Sequence, residues 1–171
     1  MKKVQTHKTY GLVTAIAMIV VGLILHVANL SFKPWAQWVI YIPFLIGLIL
    51  NAQAFAKAND HFVTFGQVWS SGFKAVAIIT IISVAWSLLF VNIFPDMMEK
   101  GMDMARQKME AGGNMSDEQI EQALTMTKKF FIPFMIGRLV FGYMFFGAIL
   151  SLIAAAIPTK KGEAFPQDPQ V

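Results

Sequence analysis

The segment Phe94–Lys129, FPDMMEKGMDMARQKMEAGGNMSDEQIEQALTMTKK, decides how the rest of the chain must be read. It holds seven of the ten acidic residues, namely Asp96, Glu99, Asp103, Glu110, Asp117, Glu118 and Glu121. The sequence on both sides is apolar enough to dissolve in lipid. One hydrophilic segment between greasy ones is the pattern of a membrane protein with a single sizeable piece in water.

Inside the segment the spacing predicts two helical arms. Phe94, Met98, Met102, Ala105 and Met109 recur every three or four residues, which places them on one stripe of a helix. Ala111–Gly112–Gly113–Asn114 is a turn signal. The second arm opens with Ser116 and Gln119 spaced as a capping box, Met115 placed to staple onto Ile120, and Asp117 and Glu118 in the positive first turn. Lys128 and Lys129 complement the far end of the same dipole.

Seven of the eleven methionines also fall here. Thioether sulfur suits Cu(I), but methionine is equally the adaptable apolar residue of a helix face that packs on an irregular partner. The regular stripe favours packing, so no cofactor or metal is expected, and Met98, Met102 and Met109 form a candidate partner-docking face.

Outward from this segment, four runs are long enough to cross a bilayer: residues 10–30, 35–55, 69–94 and 132–157. Twenty-one helical residues cover about 31 Å, against roughly 30 Å of hydrocarbon. The first run is read as a span, not as a cleaved leader, because it is long for one and no small-x-small site follows it. Pro34 suits the first turn of the second span, and Pro43 inside that span predicts a kink. Trp35, Trp38 and Tyr41 suit the headgroup level, as do Phe62, Phe65 and Trp69 ahead of the third span. Residues 56–68 read as a loop, Pro95 as the stop of the third span, and residues 162–171 as a disordered tail.

The composition agrees: 56% of residues are hydrophobic and 14% charged. The absence of cysteine removes disulfides, zinc-thiolate sites, iron–sulfur clusters and thiol nucleophiles together. The fold class is therefore an all-α membrane protein, one domain of four transmembrane helices, with an extramembrane two-helix hairpin, residues 95–131, between spans three and four. Four spans put both termini on one side. Lys2, Lys3, Lys8, Lys57, Lys74, Lys160 and Lys161 flank the spans there, whereas Arg106 and its lysine neighbours on the other side sit among carboxylates away from a span end. The positive-inside rule then places the termini in the cytoplasm and the hairpin in the periplasm.

Polar residues inside the spans are the remaining candidates. Arg138 lies about 9 Å past Ile132 along the last span, where a charge is unfavourable unless it has a partner or reaches the interface. His26, Asn29 and Asn92 lie towards the same side, so an intramembrane cluster of His26, Asn29, Asn92 and Arg138 competes with the simpler reading in which Arg138 snorkels outward. A three-histidine metal site is excluded within one copy, because His7 and His61 fall on the opposite face from His26. Gly147, Ser151 and Ala155 repeat every four residues, which lets helices approach closely, most simply inside the bundle. Asn51, near the inner end of span two, needs no special role.

No H-E-x-x-H, nucleophile elbow or phosphate-binding glycine loop is present, and no span contains Asp or Glu. No enzymatic activity is expected. The acidic hairpin argues against nucleic acid as a partner. The implied partners are the lipid bilayer and, through the hairpin, another membrane or periplasmic protein or a second copy of the chain. The alternative is an oligomeric channel or small-solute transporter lined by His26, Asn92 and Arg138.

The order of four spans, the stretch FVTFGQVWSSGFKA at residues 62–75 and the stretch MSDEQIEQALTMTKKF at residues 115–130 resemble the bacterial family known as domain of unknown function 4199. The resemblance runs from about Lys8 to Lys161. It implies a multi-pass protein of the bacterial cytoplasmic (inner) membrane and brings no activity, substrate or site residue with it.

Overall fold

The computed structural model describes residues 5–158. Among them every regular element is a helix: α1 (Thr6–Val27), α2 (Ala36–Val39), α3 (Tyr41–Ala58), α4 (Phe65–Ile93), α5 (Asp96–Gly112) and α6 (Asp117–Ala156). Four helices are long and apolar enough to cross a membrane: Thr6–Val27, Ala36–Ala58, Phe65–Ile93 and Asp117–Ala156. The expected tail 162–171 and the pair Lys160–Lys161 lie outside the described residues.

Residues are sorted between inside and outside in the way that four apolar helices suggest. On α1 the exposed side carries Leu12, Val13, Ile16, Val20 and Ile24, while the buried side carries Gly11, Thr14, Ala15 and Met18. The last turns of α6 repeat this, with Phe145, Ile149, Leu152 and Ile153 exposed and Gly147, Ser151, Ala154 and Ala155 buried. A water-soluble bundle hides its large apolar side chains. Along α1 and the last turns of α6 the inside is mostly small or hydroxylated and the outside mostly large and apolar, the sorting that suits helices packed in lipid.

The ends of α1, α3 and α5 each have a local cause. The chain leaves α1 through a Schellman motif in which Leu30 N–H donates to Leu25 O (2.8 Å) and Asn29 N–H to His26 O (2.9 Å). Asn29 takes the left-handed conformation at φ 56°. The end of α3 is built the same way, with His61 N–H to Ala56 O (2.8 Å), Asp60 N–H to Lys57 O (3.1 Å) and Asp60 at φ 53°. Gly113, at φ 63°, closes α5 by donating to Glu110 O.

Several boundaries differ from those expected, α1 starting at Thr6 and α3 ending at Ala58 among them. The first helix stops at Val27 instead of residue 30, because Asn29 supplies the left-handed turn. The second span is divided at Ile40 into α2 and α3: Pro43 has no N–H for the Val39 carbonyl, so the ladder opens one turn before the proline. Pro34 lies outside the first turn, ahead of the N-cap residue Trp35. The helix of the third span, α4, begins at Phe65, four residues early, because Thr64 caps it.

The largest difference is at the end of the chain. The expected second arm and the expected span 132–157 are one helix, α6, which runs through Pro133. Pro133 removes a single N–H, and no glycine or asparagine between Thr127 and Ile132 offers a helix stop. Pro95 ends α4 as expected, and α5 lies between the third and fourth long helices.

The chain forms two compact units. Among the described residues, the first comprises those up to Ser83 together with those from Gly142 to Pro158, and the second comprises Val84–Phe141. In the first, Phe44, Leu48, Val76 and Ile79 are fully buried. Tyr41 and Phe44 of α3 meet Tyr143 of α6 at ring-centroid distances of 6.4 and 5.7 Å. Small residues permit this closeness: a side chain at Gly147 would run into Val76 and Phe44, and one at Gly11 into Ile78. Gly147, Ser151 and Ala155 are all buried in this unit, so the small-residue repeat serves internal packing.

Candidate functional site

In the second unit, the N-terminal part of α6 starts on the expected capping box. Ser116 N–H donates to Gln119 Oε1 (2.9 Å) and Gln119 N–H to Ser116 Oγ (3.4 Å). The chain turns through residues 113–116 from α5 into α6, and the Arg106 guanidinium of α5 is bonded to the Glu121 carboxylate of α6. That bond holds the Arg106 pKa above its ordinary value.

The expected stripe falls on α5 and the residues just before it, and Met97, Met104 and Arg106 are half-buried beside it. Phe94, Met98, Met102, Ala105 and Met109 are half-buried, whereas Asp96, Glu99, Lys100, Asp103, Lys108 and Glu110 are exposed. Lys100 and Asp96 pair at 3.0 Å along the helix. On α6, Ile120 and Leu124 are buried one turn apart, flanking Glu121. Met115 and Met126 remain exposed, the latter at 62%.

The four polar residues expected within the spans fall in different surroundings. His26 is half-buried in the last turn of α1, and Asn29 is exposed in the turn that follows. Both belong to the first unit. Asn29 has a sufficient structural reason to be there, since asparagine is the side chain best suited after glycine to the left-handed position of a helix stop. Asn92 and Arg138 belong to the second unit and are both exposed. The Asn92 amide donates to the Leu88 carbonyl of its own helix at 2.7 Å.

A second group of polar side chains, not singled out by the sequence, sits inside the first unit. Asn51 of α3 is completely buried and donates its side-chain amide to the hydroxyl of Ser71 on α4 at 3.3 Å. Ser151 of α6 is buried against Gly72: its Oγ would lie 3.1 Å from a Cβ placed there. Beside it, Trp69 Nε1 donates to the Ala148 carbonyl at 3.3 Å. The Asn51 Oδ1 and the Ser151 Oγ have no hydrogen-bond partner. Asn51 is the one polar amide in the buried part of its span, a signal that deserved more weight than its nearness to the span end suggested.

Among the described residues no group of three or more His, Cys, Asp or Glu is placed to hold a metal ion. A family model described as protein of unknown function (DUF4199) matches residues 9–160 of the chain. No curated protein and no solved structure matches it.

Proposed function

The chain belongs to the DUF4199 family of proteins of unknown function, and from that premise we propose that it is a non-enzymatic integral component of the bacterial cytoplasmic membrane. In this reading α5 and the first turns of α6 project into the periplasm as a hairpin that docks another protein, through apolar residues set in an acidic surface.

The observation that carries it is the character of α5. Not one of its 17 residues is buried, and six of its seven charged residues are exposed, Arg106 being half-buried, whereas the exposed positions along the middle of α1 and the last turns of α6 are mostly large and apolar. A helix of that kind is stable in water and unfavourable in hydrocarbon. Exposed Met115 and Met126 on the adjoining part of α6 supply adaptable apolar contacts of the sort used by protein-binding surfaces. The orientation is supported by Lys8, Lys57 and Lys74, all exposed, at the start of α1, the end of α3 and the early turns of α4, where the described residues up to Ser83 carry only Asp60 as an acid.

Photocrosslinking in intact cells tests this. A crosslinker at Met126 or at Met102 should yield a discrete protein adduct, and Met126→Glu should abolish the one formed from Met102, while a crosslinker at Ile16 should yield lipid adducts only. If no protein adduct forms at either methionine, or if the purified protein alone passes ions or solutes in proteoliposomes, the docking reading fails; the second result would favour a channel.

A further inference from the structure

From the geometry around Asn51, Ser71 and Ser151 we infer a binding site for one water molecule, enclosed by α3, α4 and the last turns of α6. The site rests on three observations that reinforce one another.

The first is an imbalance of hydrogen bonds. Asn51 has one amide group on Ser71 and its other, Oδ1, on nothing, and Ser151 Oγ is likewise unpaired. Exchanging the amide N and O would leave the amide nitrogen as the orphan instead, so one orphan remains in either orientation. A buried polar atom left without a partner is unfavourable by roughly 1–3 kcal/mol. In a lipid-facing bundle no bulk water relieves it.

The second is the rotamer of Ser151. Hydroxyls in apolar helices usually satisfy themselves on the carbonyl four residues back. Thr80 does so on Val76 O at 2.9 Å and Thr127 on Ala123 O at 2.8 Å. Ser151 does not, and its hydroxyl is turned to Gly72, next in sequence to Ser71.

The third is the chemistry of the donor set. Asn51, Ser71 and Ser151 present neutral oxygens with no carboxylate, too few and too weakly charged for a bare metal cation. Water is both donor and acceptor, so a molecule seated beside Ser71 and Gly72 would donate to Asn51 Oδ1 and share a hydrogen bond with Ser151 Oγ. Buried waters typically serve about three such groups.

The sign of a stability change decides the matter. With the water in place, Ser151→Ala removes one of its anchors, and the unfolding equilibrium of the full chain in detergent should shift roughly threefold to tenfold toward the unfolded state. Without it, the same substitution removes an orphan hydroxyl from a nearly isosteric site, and stability rises or stays the same; that result overturns the inference. A direct Asn51–Ser151 bond would also make Ser151→Ala destabilising, so an experimental density map provides the second readout. A peak within about 3 Å of both oxygens supports the water, and a map without one overturns it even if Ser151→Ala destabilises.

Discussion

Thr14 of α1 packs directly on the backbone of Gly47 in α3, with its Oγ1 and Cγ2 in the space a side chain at Gly47 would need. Gly47→Ala should therefore lower stability by about 1–3 kcal/mol, and T14A should restore part of the loss. Gly22, with nothing within 4 Å of its Cβ position, is the control. Gly22→Ala should leave the midpoint of thermal unfolding unchanged or raise it. Equal effects at the two glycines would contradict the contact.

Asn29 separates a structural role from a functional one. If its purpose is to supply φ 56° after α1, Asn29→Gly should match the parent in expression and stability, and Asn29→Val should lose about 1–2 kcal/mol. A loss of cellular function with Asn29→Gly at full abundance would instead argue for the polar cluster with His26.

Two capping boxes predict local effects. Ser116→Ala and Thr64→Ala should each destabilise by about 1 kcal/mol, and hydrogen exchange should quicken in the first turn of α6 or α4 respectively. Gln119→Ala should free the Ser116 N–H and expose it to exchange without altering α4.

The bond between Arg106 and Glu121 is exposed, so its contribution should be small and sensitive to salt. Arg106→Glu should loosen α5 from α6 at low ionic strength, seen as faster amide exchange along α5, and Glu121→Arg in the same chain should reverse it. An effect that persists unchanged in 1 M salt would mean that packing by Ile120 and Leu124, not charge, sets the contact.

Compartment reporters test the topology. A reporter inserted after Gly112 should be active in the periplasm and one at the C-terminus in the cytoplasm. Both on the same side would remove the basis for a hairpin outside the membrane.

What could be read from the sequence was mostly what neighbouring residues decide among themselves. The stop at Pro95, the Gly113 turn, the Ser116–Gln119 box and the methionine stripe all depend on spacings of a few residues. The Thr64–Gln67 box has the same spacing, with Thr64 N–H on Gln67 Oε1 at 3.0 Å and Gln67 N–H on Thr64 Oγ1 at 3.3 Å. It was legible and hidden only by the aromatic run around it. The helix stop at Asn29 was not legible, because an asparagine near a span end looks the same whether it stops a helix or faces a partner. The contact between Asn51 and Ser71 could not be read, since it depends on which faces of α3 and α4 meet. The small-residue repeat in α6 signalled a close approach without saying to what; the neighbours are Val76, Phe44 and Gly72.

Trp69 links its indole to the Ala148 carbonyl and stacks on Phe73 at 5.8 Å. That makes it a built-in fluorophore at the seam between α4 and the end of α6. With Trp35, Trp38 and Trp86 replaced by phenylalanine, the colour of the remaining emission would follow the opening and closing of that seam in real time, with no dye attached.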